Sequence, residues 1–99
     1  MSAGAQLALS GDCMRVSGEL DFASVIPLKP QGDQWLRTEA PAACRLDLGG
    51  VTRSNSAATA LLLAWLRTAA AAGKTLRVEN APAPLRALLH LVSLDVLPE

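Results

Sequence analysis

Three hydroxyl side chains within five residues are the polar groups with the clearest chemical potential. Thr52, Ser54 and Ser56 lie just ahead of a long apolar segment. Alcohol groups so placed can cap a helix, donate across an interface or accept a phosphate. No serine stands in the G-x-S-x-G setting of a hydrolase nucleophile. The segment therefore predicts a recognition site more than a catalytic one.

Groups that support catalysis, nucleotide binding or metal binding are otherwise scarce. His90 is the single histidine, and on a terminal helix a histidine is more often a surface or boundary residue than a catalyst. Gly49-Gly50 does not belong to a nucleotide-binding glycine pattern. Cys13 and Cys44 lack CxxC spacing, so we expect two reduced core thiols, with neither zinc nor a disulfide. We predict no catalytic residue, no metal and no cofactor.

The composition indicates one soluble domain. The 99 residues suffice for one modest core, so we assign residues 1–99 to a single domain. Nine Lys and Arg balance nine Asp and Glu, and the absence of a basic cluster argues against a nucleic-acid partner. The apolar run 57–72 is too short to span a membrane and contains Arg67. Because the N-terminus also lacks signal-peptide features, we expect a cytoplasmic protein without direct membrane insertion.

The chain is organised around the segment 44–73. We expect a buried strand over 44–48, a tight turn at Gly49-Gly50 and a polar loop that leads into one long helix. Asn55, or the serine before it, can cap this helix, and Gly73 suits the left-handed position that closes it. The hydrophobic scaffold thus holds a polar loop at a helix N-terminus.

The remaining segments complete a β-β-α-β-α-β-α order, with a hairpin over 6–17, a strand over 74–79 and a last helix over 85–92. We expect the first helix to start near Phe22, with Asp21 as its cap, and to be broken completely by Pro30 and Gly32. Right-handed β-α-β connections place parallel strands side by side. The prediction is a small α/β domain whose mixed sheet of about four strands is covered by helices.

The long helix has two contrasting faces. One face is bulky and apolar and should meet the sheet: Ala58, Leu61, Leu62, Trp65, Ala69 and Ala72. The other is small and weakly polar: Ser56, Thr59, Ala60, Leu63, Arg67 and Ala70. Such a smooth face suggests a contact surface for another protein. The alternative is that alanine is present simply as the best helix former.

Two motifs resemble the STAS domain family. The run D-L-G-G-V-T-R-S-N-S-A-A over 47–58 looks like the signature D-L-S-x-V-x-x-x-D-S/T-S/G/A-G, and residues 16–21 look like its second strand and G-E-L-D helix entry. The ending Asp95-Val96-Leu97-Pro98 resembles that of the MlaB-like branch, the cytoplasmic STAS subunits of bacterial Mla phospholipid ABC transporters. The resemblance covers essentially the whole chain and implies a STAS-type fold.

The signature departs from the family pattern at its phosphorylation switch. In STAS proteins that antagonise anti-sigma factors, a kinase phosphorylates the serine before the motif's glycine, and here that position is Ala57. Asn55 and Ala58 replace the motif's aspartate and glycine, while Ser56 aligns with the hydroxyl that MlaB-like proteins retain. The departure favours the transporter branch, with an anti-sigma factor antagonist that binds an anti-sigma kinase as the alternative.

The resemblance implies a non-catalytic subunit that binds and supports an MlaF-like ATPase. That ATPase would belong to a phospholipid-transporting complex involved in outer-membrane lipid asymmetry, and the subunit would be peripheral to the inner membrane through its partners. The residues expected to bind the partner are Thr52, Arg53, Asn55, Ser56, Thr59, Leu63 and Arg67. Trp35 either extends this interface or anchors its loop to the core.

Overall fold

The chain forms one four-stranded mixed sheet packed against helices. The computed structural model describes residues 4–87. The elements are β1 (Ala5–Ser10), β2 (Cys13–Leu20), α1 (Val25–Thr38), β3 (Ala43–Ser54), α2 (Ser56–Ala71) and β4 (Thr75–Glu79). Residues 83–87 are also helical, so the last helix starts slightly before the predicted 85–92, most of which lies outside the described residues. The predicted element order and fold class are confirmed.

The strands are ordered β1-β2-β3-β4 across the sheet. β1 pairs antiparallel with β2 through a hairpin, whereas β2 with β3 and β3 with β4 are parallel. Each parallel pair is joined through a helix, and two right-handed crossovers that advance in the same direction place both helices on one face. The carboxyl ends of β2 and β3 consequently meet at the end of the sheet where α1 and α2 begin.

The core lies between that face and the two helices. Alternate strand residues point inward and pack against α1 and α2, and the core includes Met14, Val16, Leu46, Leu48, Leu28, Leu36, Leu62 and Trp65. Trp35 is also buried in this core, where it lies in α1 and not in the loop that was expected around it. Cys13 and Cys44 are buried free thiols.

The opposite face of the sheet carries paired charges. Arg45 contacts Asp12 at 3.0 Å and Glu79 at 3.2 Å, and Arg15 contacts Asp47 at 3.3 Å. Ion pairs at such an exposed surface contribute little stability individually. They do satisfy Arg15 and Arg45 within the domain.

The first helix differs from its prediction. α1 begins at Val25, three residues after Phe22, and continues through Pro30 and Gly32 to Thr38. Asp21 caps the preceding turn, accepting hydrogen bonds from the Ala23 and Ser24 amides at 3.1 and 2.8 Å. The prediction that Pro30 and Gly32 break the first helix was wrong, because tertiary packing outweighs local helix propensity here.

The close packing of α1 against α2 is visible at Gly32. A Cβ at this position would lie within 3.0 Å of three atoms of the Trp65 indole. Glycine therefore lets α1 approach α2 closely enough for Trp65 to be fully buried. The indole Nε1 also donates to the Lys29 carbonyl at 3.2 Å. A residue that weakens an isolated helix thus secures the contact between two helices.

The predicted turn at Gly49-Gly50 is likewise a continuation of strand. β3 extends through both glycines to Ser54, because β2 supplies a partner as far as Leu20. The register shifts twice along this pair, and a Cβ on Gly50 would lie 2.7 Å from the Ser17 Cβ. Glycine permits this close approach between irregularly paired strands. The expected polar loop over 52–56 is therefore mostly strand, with the turn confined to Asn55.

The ends of α2 match their prediction. Asn55 is the N-cap, and Gly73, with φ of 74°, follows the C-cap Ala72. The Gly73 amide donates to Ala70 and the Lys74 amide to Ala69, at 3.0 and 2.8 Å, which is the Schellman pattern. These bonds fix the residue at which α2 ends. The Asn55 cap fixes the residue at which α2 starts, and therefore which residues form its first turn.

Candidate partner-binding site

The junction between β3 and α2 is held by two hydrogen bonds at Asn55. Its side-chain oxygen accepts from the Ala57 amide at 2.8 Å, satisfying one of the unpaired donors at the start of α2. Its own amide donates to the Leu20 carbonyl at 3.3 Å, which ties the turn to the end of β2. Ser56 is thereby presented to solvent as the first residue of the helix.

The hydroxyl and the two alanines that follow it have opposite environments. Ser56 is exposed, whereas Ala57 and Ala58 are 2% and 0% exposed. The position that the family resemblance marks for phosphorylation, Ala57, thus lacks a hydroxyl and is buried. Ser56 is the accessible hydroxyl of this turn.

The seven predicted contact residues are mostly brought together. Asn55, Ser56, Thr59 and Leu63 line one groove of about 490 Å³ beside Pro84. Thr52 and Arg53 line a neighbouring groove of about 470 Å³, and Ser54 and Pro84 border both. Arg67 is exposed on α2 one turn beyond Leu63 and lines neither groove. Their role in binding stays a prediction.

Two arginines of this surface differ from Arg15 and Arg45 on the open sheet face, which are both paired. Within residues 4–87, neither Arg53 nor Arg67 forms an ion pair. Glu19 is aligned with Arg53 in the β2–β3 pairing, yet no salt bridge joins them. The two guanidinium groups are consequently free to donate to a partner's carboxylate or carbonyl oxygen.

Burial raises the pKa of the Cys44 thiol, which disfavours the reactive thiolate. No group of three or more His, Cys, Asp or Glu residues within 4–87 could hold a metal ion. No helix in this part of the chain is long and apolar enough to cross a membrane.

Two residues at the edge of this surface were not predicted. Phe22 and Ile26 are 66% and 71% exposed, although both are large and apolar. They line a further groove between α1 and α2, of about 390 Å³, that shares Ala60 with the groove at Ser56. The signal in the sequence is that Ile26 falls opposite the buried Leu28 and Trp35 on a helical projection. This position of Ile26 can be read from the sequence only when α1 is treated as one continuous helix.

Comparison with known proteins agrees with this architecture. A family model described as "Mlab, STAS domain" matches residues 4–99. The fold is similar to that of the unphosphorylated anti-sigma factor antagonist SpoIIAA, with a TM-score of 0.71, 16% identity, and coverage of 89% of this chain and 83% of the other. It is also similar to part of Mglu, with a TM-score of 0.59, 22% identity, and coverage of 79% of this chain and 19% of the other. No curated protein matches the chain in sequence.

Proposed function

The chain belongs to the STAS domain family, and we propose that it is a non-catalytic subunit that binds and supports the ATPase of an Mla-type phospholipid ABC transporter. In this role it is cytoplasmic and peripheral to the inner membrane through its partners. It contacts an MlaF-like ATPase and neither inserts into the membrane nor binds nucleic acid. The complex as a whole would act in outer-membrane lipid asymmetry.

The observation that carries this proposal is the contrast at the start of α2. Ser56 offers an exposed hydroxyl on a hydrogen-bonded turn, while the neighbouring position Ala57 is buried and has no hydroxyl to phosphorylate. A partner can therefore recognise the turn directly, and phosphorylation at that neighbouring position is excluded by its chemistry. This supports constitutive assembly with an ATPase over a kinase-controlled switch.

The surroundings of Ser56 supply what a protein interface needs. Thr59 and Leu63 continue along α2 as a half-buried, weakly polar strip, and the strip is rimmed by Arg53 and Arg67. An interface centre depleted of charge with polar groups at its rim is typical of protein–protein contacts. Ser56 is the central hydrogen-bonding group, and the arginines pair with acidic or carbonyl groups of the ATPase.

A second candidate is an anti-sigma factor antagonist that binds an anti-sigma kinase. The similarity of the fold to SpoIIAA favours it. The same turn would then bind a different partner, without the phosphorylation that Ala57 cannot accept. The two candidates differ in their partner and are separated by a direct binding comparison.

The test is co-purification of the full chain with the ABC ATPase of the same organism, using wild type, Ser56→Arg and Ser10→Arg. Ser10 is an exposed serine at the far end of the sheet and serves as the matched control. We expect wild type and Ser10→Arg to bind and Ser56→Arg to fail, with unchanged circular dichroism for all three. An arginine in the first turn opposes the helix dipole by only about 0.3–1 kcal/mol, so the fold should persist.

Two results would contradict the proposal. Normal ATPase binding by Ser56→Arg would remove Ser56 from the interface. Binding of wild type to an anti-sigma kinase, but not to the ATPase, would establish the second candidate instead.

A further inference from the structure

The groove between α1 and α2 has a bulky apolar wall on the α1 side and mostly small residues on the α2 side. Phe22 and Ile26 stand exposed on the α1 side, with Pro30 beside them. The α2 side is formed by Ala60 and Ala64, whose side chains end at Cβ. Small residues on a helix let another backbone approach closely, so this groove has room for the side chains of an incoming helix.

An uncompensated positive charge lies on α2 just beyond the residues that line the groove. Positions 57, 60, 64 and 67 form a single row along α2, so Arg67 stands one turn beyond Ala64. Arg67 forms no ion pair within residues 4–87. The other cation at the groove, Lys29, is already held by Asp33 at 2.7 Å. An occupant that places a carboxylate beside Arg67 would complement this charge.

A second copy of the chain would complement the charge of Arg67 poorly. If two copies packed α2 against α2 about a two-fold axis at Ala60, Arg67 of each copy would approach the N-terminal end of the other α2. Arg53 precedes that end, and the helix dipole is positive there. Like charges would meet at both ends of such a dimer, which disfavours it.

We propose that this groove binds an amphipathic helix of the partner ATPase, with bulky apolar side chains against Phe22 and Ile26 and a carboxylate reaching Arg67. The inference rests on the proposed function and enlarges its interface. It assigns Phe22 and Ile26 the role of apolar anchors, beside the hydrogen-bonding contact at Ser56. Anchors of this kind contribute a large share of the affinity of an interface.

Thiol labelling of Ile26→Cys tests whether the groove is covered in the complex. The native Cys13 and Cys44 are both buried, so the new cysteine is the rapidly reacting thiol of the full chain. We expect rapid labelling of the isolated protein and labelling at least about tenfold slower with saturating ATPase. Titration of the double variant Phe22→Ser/Ile26→Ser with the ATPase should show an affinity for the ATPase at least about tenfold lower than that of wild type. Leu9→Ser, an exposed leucine on β1, is the matched control and should bind normally.

The outcomes separate this inference from the proposed function. If the ATPase binds wild type, and Ser56→Arg abolishes binding, but the Ile26→Cys variant labels equally fast in the complex, the groove proposal is overturned and the function stands. Slow labelling of the isolated chain also overturns the groove proposal, because another part of the chain or a second copy would already cover the groove. A labelling rate that falls as the protein concentration rises would identify the second copy as the cover. If wild type does not bind the ATPase at all, both proposals fail.

Discussion

Replacing Gly32 with alanine tests whether the contact between α1 and α2 is as close as the structure indicates. In an isolated helix, Gly→Ala is stabilising by about 1 kcal/mol because glycine loses more backbone entropy on folding. At this site, however, the added methyl group would come within 3.0 Å of the Trp65 Cε2, Nε1 and Cζ2 atoms. The two effects oppose each other, so the sign of the change in stability is informative.

The structural cost should exceed the gain in helix propensity. Carbon atoms pack best at about 3.5–4.0 Å, so relief requires a shift of roughly 1 Å of the helix or the indole. Trp65 is fully buried and its Nε1 is bonded to the Lys29 carbonyl, which leaves it little freedom to move. Overpacking a well-packed core costs about 1–3 kcal/mol, and a clash with a rigid ring belongs at the upper end. Subtracting the propensity gain leaves a net destabilisation of about 2 kcal/mol.

Urea unfolding followed by far-ultraviolet circular dichroism measures this difference. A double-mutant cycle with Trp65→Phe supplies the control, because phenylalanine lacks the second ring of the indole. We expect Gly32→Ala to cost at least about 1 kcal/mol less in the Trp65→Phe background than in wild type. A Gly32→Ala protein about 1 kcal/mol more stable than wild type would refute the close contact, since propensity alone would then account for the result.

Two further substitutions test the cap of α2 and the open sheet face. Asn55→Ala should lower the free energy of unfolding by about 1 kcal/mol, because the Ala57 amide loses its acceptor. Thermal unfolding measures this loss. Equal destabilisation by Asn55→Asp, which keeps an acceptor, would contradict the explanation. The Asn80 side-chain amide, then the Gly49 amide and Arg15, hold the pKa of Asp47 below its usual range. A carboxylate with a lowered folded-state pKa contributes stability above its unfolded pKa of about 3.9, and that contribution disappears as the pH falls through the folded pKa. Asp47→Asn should therefore lose less stability than wild type on acidification from about pH 5 to 2, and parallel stability curves would contradict the assignment.

The placement of most candidate residues on one surface could be predicted from the sequence because these residues are close to one another along the chain, whereas their role in binding stays a prediction. Asn55, Ser56 and Thr59 lie within five residues, so a capping signal followed by a helical pattern places them on one surface. The groove formed by Phe22 and Ile26 was not accessible in this way. Its two walls come from different helices, and their separation depends on how closely those helices pack.

The sequence by itself determined the order of the elements, the ends of α2 and the division of α2 into a buried and an outer face. These features depend on side-chain periodicity and on short-range hydrogen bonds, as at Asn55 and Gly73, which act within a few residues. The tertiary structure decided that α1 continues through Pro30 and Gly32 and that β3 continues beyond Gly50. In each case, local propensity favours an interruption, but a partner distant in sequence supplies the compensating contact: Trp65 for α1 and the end of β2 for β3. Propensities of about 1 kcal/mol are outweighed when burial of a whole side chain or a row of strand hydrogen bonds depends on the alternative.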